Sequence, residues 1–405
     1  MDTGRDDRTL NESASAGHAI ARVMDSARSV PPGSISDVVD VVAEVLGAAR
    51  GRVYVADYAL RCLQALDHDG PVGDPQLIEG TVAGRVFATG ELIVAGEDPT
   101  VLYVPLSEGG ERIGVLELLF TEWTGETPAN LDVVLRVLVL VVVSKRRYTD
   151  VWHRTRRARP LSDAAESQWD LLPPLTCATD EVALSGILEP AYEIGGDSFD
   201  YALNPGRLEF CIVDATGRGM PAVLMSIAAI NSLRNSRREQ ASLETAYRQV
   251  DRIIAEQFGH SFYVTGQIAS LDLASGVLTW LNAGHPLPML VRDGSFVGEL
   301  QCRPSMPMGL GGPVIEVASQ QLQRGDRILF YTDGITEPLS PDGERFGADR
   351  LADFLVRATL DRVSATETAR RLCTNVVAHS AAAHRDDATL FLVDYHGRAE
   401  PAIST

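Results

Sequence analysis

"EIGGDSFDY" spans residues 193–201 and "CIVDATGRGM" spans residues 211–220, with "ALNPGRLEF" between them. "SFDYAL" (198–203) and "RLEFCIVD" (207–214) both read as strands, and "NPG" (204–206) reads as a turn. A hairpin centred near Pro205 puts residue 197 roughly opposite residue 213 or 214. Asp197 and Asp214 then stand at the same end of adjacent antiparallel strands. Two carboxylates this close repel unless a cation lies between them, so the hairpin predicts a metal site.

The pattern recurs further along the chain. "DRILFYTDG" (326–334) is an apolar strand ending in Asp333-Gly334, and "DDATLFLVDY" (386–395) is an apolar strand that begins after Asp386-Asp387. Acidic groups therefore sit at the ends of four apolar strands. An all-carboxylate set suits a hard divalent cation such as Mg²⁺ or Mn²⁺, and neither histidine nor cysteine is clustered to compete. Two such ions about 3.5–4 Å apart would activate a water and hold a phosphoryl group for in-line attack. In "DATGRGMPAVLMS", Gly217 and Gly219 let the backbone turn out of the strand, and Pro221 suits the first turn of an apolar helix. His285 in "NAGHPLP" reads as a hydrogen-bonded turn residue, and Glu337 as a surface charge.

Composition narrows the classes. A chain of 405 residues supports two or three domains. A formal net charge of -19 disfavours nucleic acid and anionic membrane as partners. Cys62, Cys177, Cys211, Cys302 and Cys373 show no CxxC spacing, and none has an arginine six residues on, which excludes a cysteine phosphatase. Lys145 is the only lysine and follows no glycine-rich loop, so P-loop, kinase and Schiff-base chemistries are excluded. The start of the chain has no apolar signal core. The longest apolar run, "VLVLVVV" (137–143), falls well short of the ~20 residues that span a bilayer. A cytoplasmic protein is expected.

Residues 1–34 read as a polar arm with a short helix that ends at Pro31-Pro32. In residues 35–147, "ISDVVDVVAEVLGAA" predicts a helix and "RVYVADY" a strand. "GTVAGRVFATGELIVA" predicts a short helix and turn, "VLYVPLSEGGERIGVLELLF" a hairpin, and "NLDVVLRVLVLVVVSKRR" a closing helix. This order resembles a GAF domain, an α/β sensor module. GAF domains usually bind a small ligand or dimerise, which implies an unidentified ligand or a homodimer contact there. Residues 148–175 read as a helical connector: Arg154, Arg156, Arg157 and Arg159 form a solvated basic face, and Ala165, Trp169 and Leu172 form a packed stripe. Residues 176–397 form the larger domain, and residues 398–405 a tail.

"GGDSFDY", "VDATGRGMPAVLM", "LNAGHPLPML", "GDRILFYTDGITE", "DGERFG" and "RDDATLFLV" occur in that order. Together they resemble the SpoIIE/RsbU-type metal-dependent protein phosphatases of the PPM superfamily, over about residues 165–396. "AAESQWDLLPP" resembles the lead-in helix of that family. The resemblance implies an α+β fold, a PPM-type αββα sandwich with the metals in a cleft at one edge. It implies hydrolysis of phosphoserine or phosphothreonine by metal-bound water, with no phosphoenzyme. The implied ligands of two Mn²⁺ or Mg²⁺ ions are Asp197, Asp214, Asp333 and Asp386, with Ala215 contributing its backbone carbonyl. Asp386 is placed ahead of Asp387 because the first residue of this pair is the superfamily's ligand; Asp387 then becomes a turn or supporting group. Implied substrates are phosphorylated STAS-domain proteins, the anti-anti-sigma factors. Thr216 stands where the family more often has serine. Two other readings are open: a phosphatase-like module that sequesters a signalling partner with little turnover, and a small-molecule phosphohydrolase.

Overall fold

The computed structural model describes residues 3–193, 195–380 and 387–397, with side chains from residue 16 onward. It divides into two compact units, residues 1–160 and 161–405.

The first unit runs α1 (Thr3–Ser29), α2 (Ile35–Val45), β1 (Arg50–Ala56), β2 (Cys62–Asp67), β3 (Gly70–Leu77), α3 (Val82–Thr89), β4 (Ile93–Ala95), β5 (Thr100–Glu108), β6 (Glu111–Phe120), α4 (Leu131–Lys145) and α5 (Asp150–Thr155). Its six strands form one sheet in the order β3-β2-β1-β6-β5-β4. The β5–β6 hairpin turns through Gly109 and Gly110, both at positive φ, as a tight two-residue turn requires. Helices α1, α2 and α4 cover one face, burying Val23, Val38, Val42, Val134 and Leu138 against Val53, Leu102 and Leu116. Helix α3 covers part of the other, with Val86 and Phe87 against Tyr54 and Leu63. The segment expected as a polar arm is instead a 27-residue helix. Ala19 and Val23, one turn apart, are buried in the core and anchor it.

The second unit runs α6 (Asp163–Leu171), β7 (Thr176–Ala178), β8 (Val182–Glu189), β9 (Asp197–Asn204), β10 (Arg207–Ala215), α7 (Met220–Arg238), α8 (Leu243–Phe258), β11 (Val264–Asp272), β12 (Val277–Ala283), β13 (Met289–Arg292), β14 (Ser295–Glu299), β15 (Val317–Gln321), β16 (Asp326–Tyr331), α9 (Gly347–Leu360), α10 (Ala365–His379) and β17 (Ala388–Tyr395). Two sheets form, β15-β12-β11-β10-β9 and β14-β13-β16-β17-β8-β7. Their inner faces share one core. There Phe210 stacks on Phe391 at 5.1 Å and meets Phe330 edge-on at 4.8 Å. Helices α7 and α8 bury Met225, Ile230 and Val250 on the outer face of the first sheet, against Val213 and Ile268. Helix α10 packs along β8 and β17 of the second sheet, and α9 against its β13–β14 end. The layers are thus helix, sheet, sheet, helix. Strands in such a stack are covered on both faces, which is why β10 and β16 read as near-continuous apolar runs.

Candidate metal centre

Strands β9 and β10 pair antiparallel with Asp214 directly opposite Asp197. The short Pro205-Gly206 turn sets this register. Asp197 is buried, 2% exposed, and Thr332 Oγ1 donates to its Oδ2 at 2.7 Å. Its own N–H donates to Asp387 Oδ2 at 3.4 Å. Asp214 and Asp387 are half-buried and Asp333 is exposed. Asp333 opens a single 3-10 turn that follows β16, and its carbonyl accepts from the N–H groups of Thr336 and Glu337 at 2.9 and 2.8 Å.

Asp197, Asp214, Asp333 and Asp387 line one cavity of about 290 Å³, together with Ala215, Thr216, Gly217 and Arg218. Two glycines make the approach possible. A Cβ at Gly196 would run into the Ala215 carbonyl, and a Cβ at Gly334 into the Asp387 carbonyl. The first brings β9 against the end of β10; the second brings the Asp333 turn against the start of β17. Arg218 sits between Gly217 and Gly219, both at positive φ, at the N-terminus of α7.

Burial pushes the Asp197 carboxyl well above the usual carboxylate range, and the charges of Asp214 and then Asp387 push it the same way. The Thr332 hydroxyl pulls weakly in the opposite direction. A buried carboxylate facing two others demands a proton or a cation. The donors around the cavity are all oxygen, so in donor chemistry they fit Mg²⁺ or Mn²⁺. Among the described residues, no three acidic, histidine or cysteine side chains are already gathered into a closed metal-binding set; the carboxylates ring the cavity instead of converging on a point.

Of the residues named from sequence, Asp197, Asp214, Ala215 and Asp333 come together here. Asp386 lies outside the described residues. Asp387, assigned from sequence to a turn or supporting role, lines the cavity itself. The sequence reading also passed over Arg218 and Thr332. Thr332 immediately precedes Asp333 in "YTDG", and its hydroxyl reaches back to a strand 135 residues earlier, which local sequence does not reveal. His285 is buried in its turn: its N–H donates to Asn282 Oδ1 at 2.7 Å, and its Nδ1 lies 3.1 Å from Thr265 Oγ1. It does not line the cavity.

The sequence family described as Stage II sporulation protein E (SpoIIE) matches residues 204–396. Protein IcfG of Synechocystis sp. (strain ATCC 27184 / PCC 6803 / Kazusa) is 24% identical over 224 residues, 48% of this chain and 35% of that protein. Phosphoserine phosphatase RsbU of Bacillus subtilis (strain 168) is 24% identical over 186 residues, 44% of this chain and 54% of that protein. The chain thus spans about a third to a half of the length of these relatives. Among solved structures, the SiaA-PP2C domain of Pseudomonas aeruginosa overlays 57% of this chain and 94% of its own, at 19% identity and a TM-score of 0.49. The family match takes in Asp214, Asp333 and the 386–387 pair and begins just after Asp197. The second unit thus carries a match to the SpoIIE family over residues 204–396.

Proposed function

We propose that this chain is a metal-dependent protein serine/threonine phosphatase. The observation that carries the reading is the Asp197–Asp214 pair in register across β9 and β10, with Asp333, Asp387 and Arg218 around the same cavity, in the unit that carries the SpoIIE-family match. The name of one relative, phosphoserine phosphatase RsbU, supports the same activity.

In this reading Asp197, Asp214, Asp333 and Asp386, with the Ala215 carbonyl, hold two Mn²⁺ or Mg²⁺ ions. When bound, such ions supply a water of lowered pKa and neutralise phosphoryl charge. The chain supplies the rest. Asp214, across from Asp197 on the neighbouring strand, would supply a second carboxylate to the ions. Thr332 orients the Asp197 carboxylate. Arg218 is the cationic side chain of the cavity wall and faces the phosphoryl oxygens of an incoming phosphoserine or phosphothreonine. The substrate is a phosphorylated STAS-domain protein of the anti-anti-sigma class, and the protein acts in the cytoplasm. Residues 35–147 act as a GAF-like regulatory domain.

The test is phosphate release from p-nitrophenyl phosphate and from a panel of phosphorylated STAS proteins. Release should require Mn²⁺ or Mg²⁺ and stop with EDTA. Asp214→Asn should abolish it with little loss of fold. Near-wild-type turnover by that variant at saturating Mn²⁺ would reject the assignment.

A further inference from the structure

Gln168 stands on the buried face of α6, beside Ala164, Ala165 and Leu171, and is fully excluded from solvent. Its Nε2 donates to the backbone carbonyl of Asp197. Its Oε1 has no hydrogen-bond partner among the described residues. A leucine here would fill comparable space without stranding a polar atom, so packing alone does not account for a glutamine.

We propose that Gln168 is a positioning residue for the metal centre: its carboxamide holds the Asp197 carbonyl and thereby sets where the Asp197 carboxylate stands. Strand β9 is the edge of its sheet, so one side of its backbone has no strand partner. Helix side chains take over that role at the end that matters. The carbonyl of Gly196 accepts from Ser226 Oγ of α7 and from the N–H of Ala215, the latter at 3.2 Å. The carbonyl of Asp197 accepts from Gln168 of α6. The far end of the residue, its carboxylate, accepts from Thr332. Asp197 is thus gripped along its length, and α6 supplies one of the grips.

Helix α6 is itself seated firmly. Ser162 caps it, its Oγ accepting from the Ala165 N–H at 3.1 Å. The Trp169 indole N–H donates to the Ala191 carbonyl at 2.8 Å. Arg234 of α7 donates to the Leu171 carbonyl at 2.7 Å. A shift of α6 on this seat would move Gln168, and through it the first residue of β9. The proposal rests on the metal-centre reading above and adds the residue that couples α6 to it.

The experiment measures Mn²⁺ binding to the full chain without substrate, from the electron paramagnetic resonance signal of free Mn²⁺, for wild type, Gln168→Leu and Ser226→Ala. Gln168→Leu should keep the circular dichroism spectrum of the metal-free protein and bind Mn²⁺ roughly 10–100-fold more weakly, the usual cost of losing support behind a ligand. Turnover of p-nitrophenyl phosphate should recover at saturating Mn²⁺, with KM for the phosphoester unchanged. Ser226→Ala should weaken Mn²⁺ binding in the same direction. A folded Gln168→Leu whose Mn²⁺ affinity stays within about two-fold of wild type overturns the proposal. Should Gln168→Leu fail to fold, Gln168→Asn retains the amide one methylene short, and wild-type Mn²⁺ affinity in that variant overturns it equally. Wild-type protein that binds Mn²⁺ but hydrolyses no phosphoester would sink the phosphatase reading and leave the Gln168 comparison intact.

Discussion

His285 shows how burial alone settles a residue's chemistry. Solvent exclusion pushes its imidazole from 6.5 down to about 3, so it is neutral at neutral pH. The unfolded chain, with an ordinary histidine, takes up the proton more readily. The contribution to stability is therefore full above the unfolded value and is lost as pH falls from there toward 3. Acidification from pH 7 to pH 5 should cost roughly 2 kcal/mol through this residue. Urea unfolding of wild type and His285→Gln at both pH values isolates it, since the carboxylates contribute equally to each protein. Identical pH dependence in the two would refute the claim. The pair at 386–387 makes a second test at this scale. Asp387 Oδ2 lies 3.4 Å from the Asp197 nitrogen, and successive residues entering a strand point to opposite sides. If Asp386 is the ligand, Asp386→Ala should damage activity far more than Asp387→Ala, and only the latter should be partly rescued by excess Mn²⁺. The reverse order would make Asp387 the ligand.

The connector shows how elements depart from their local pattern. Apolar spacing predicted a stripe of Ala165, Trp169 and Leu172, whereas the buried face of α6 is Ala164, Ala165, Gln168 and Leu171, turned by about one residue. The turn puts the Trp169 indole at the margin, bonded to the Ala191 carbonyl, and carries Gln168 inside. The basic cluster also divides. Arg154 and Arg159 are exposed, but Arg156 lays its guanidinium over the Tyr58 ring at 4.3 Å and donates Nε to the Ala56 carbonyl at 3.1 Å. Between α7 and β9, Asp200 is buried and paired with Arg234 at 2.6 Å and Arg237 at 2.9 Å. Removing the shared carboxylate strands two largely buried guanidiniums, so Asp200→Ala should cost about 3–5 kcal/mol in denaturant unfolding. A loss below about 1 kcal/mol would show that these pairs behave like solvent-exposed ones.

The whole chain divides between Pro160 and Leu161, inside the segment read as a connector, so that α5 goes with the first unit and α6 with the second. The first unit has one sheet and the second has two, and each unit has its own core. Residues 161–405 should therefore fold alone, and the intact chain should unfold in two calorimetric transitions, one of them reproduced by that fragment. A fragment without cooperative unfolding would show that the second unit needs the first. No helix among the described residues is long and apolar enough to cross a membrane. The apolar run at 137–143 belongs to α4, where Leu138, Val139, Val141 and Val142 are buried in the core of the first unit.

Features that depend on near neighbours were legible from residues alone. The Asp197–Asp214 pairing follows from an eight-residue strand, a Pro-Gly turn and a second strand, because a tight turn dictates register. The β5–β6 hairpin and the helices around it follow for the same reason. Asp333 could be marked as a candidate because an apolar strand runs up to it. Convergence was a different matter. That Asp333 and Asp387 reach the same cavity depends on β16 and β17 pairing in one sheet while β9 and β10 lie in the other. Burial of Asp197, which lifts its carboxyl, depends on both sheets and on α6 and α7 closing over it. Thr332 and Gln168 acquire their roles only there, 135 residues after and 29 residues before the aspartate they hold. Local propensity and turn chemistry act over a few residues, whereas desolvation and distant hydrogen bonds exist only once the layers have packed.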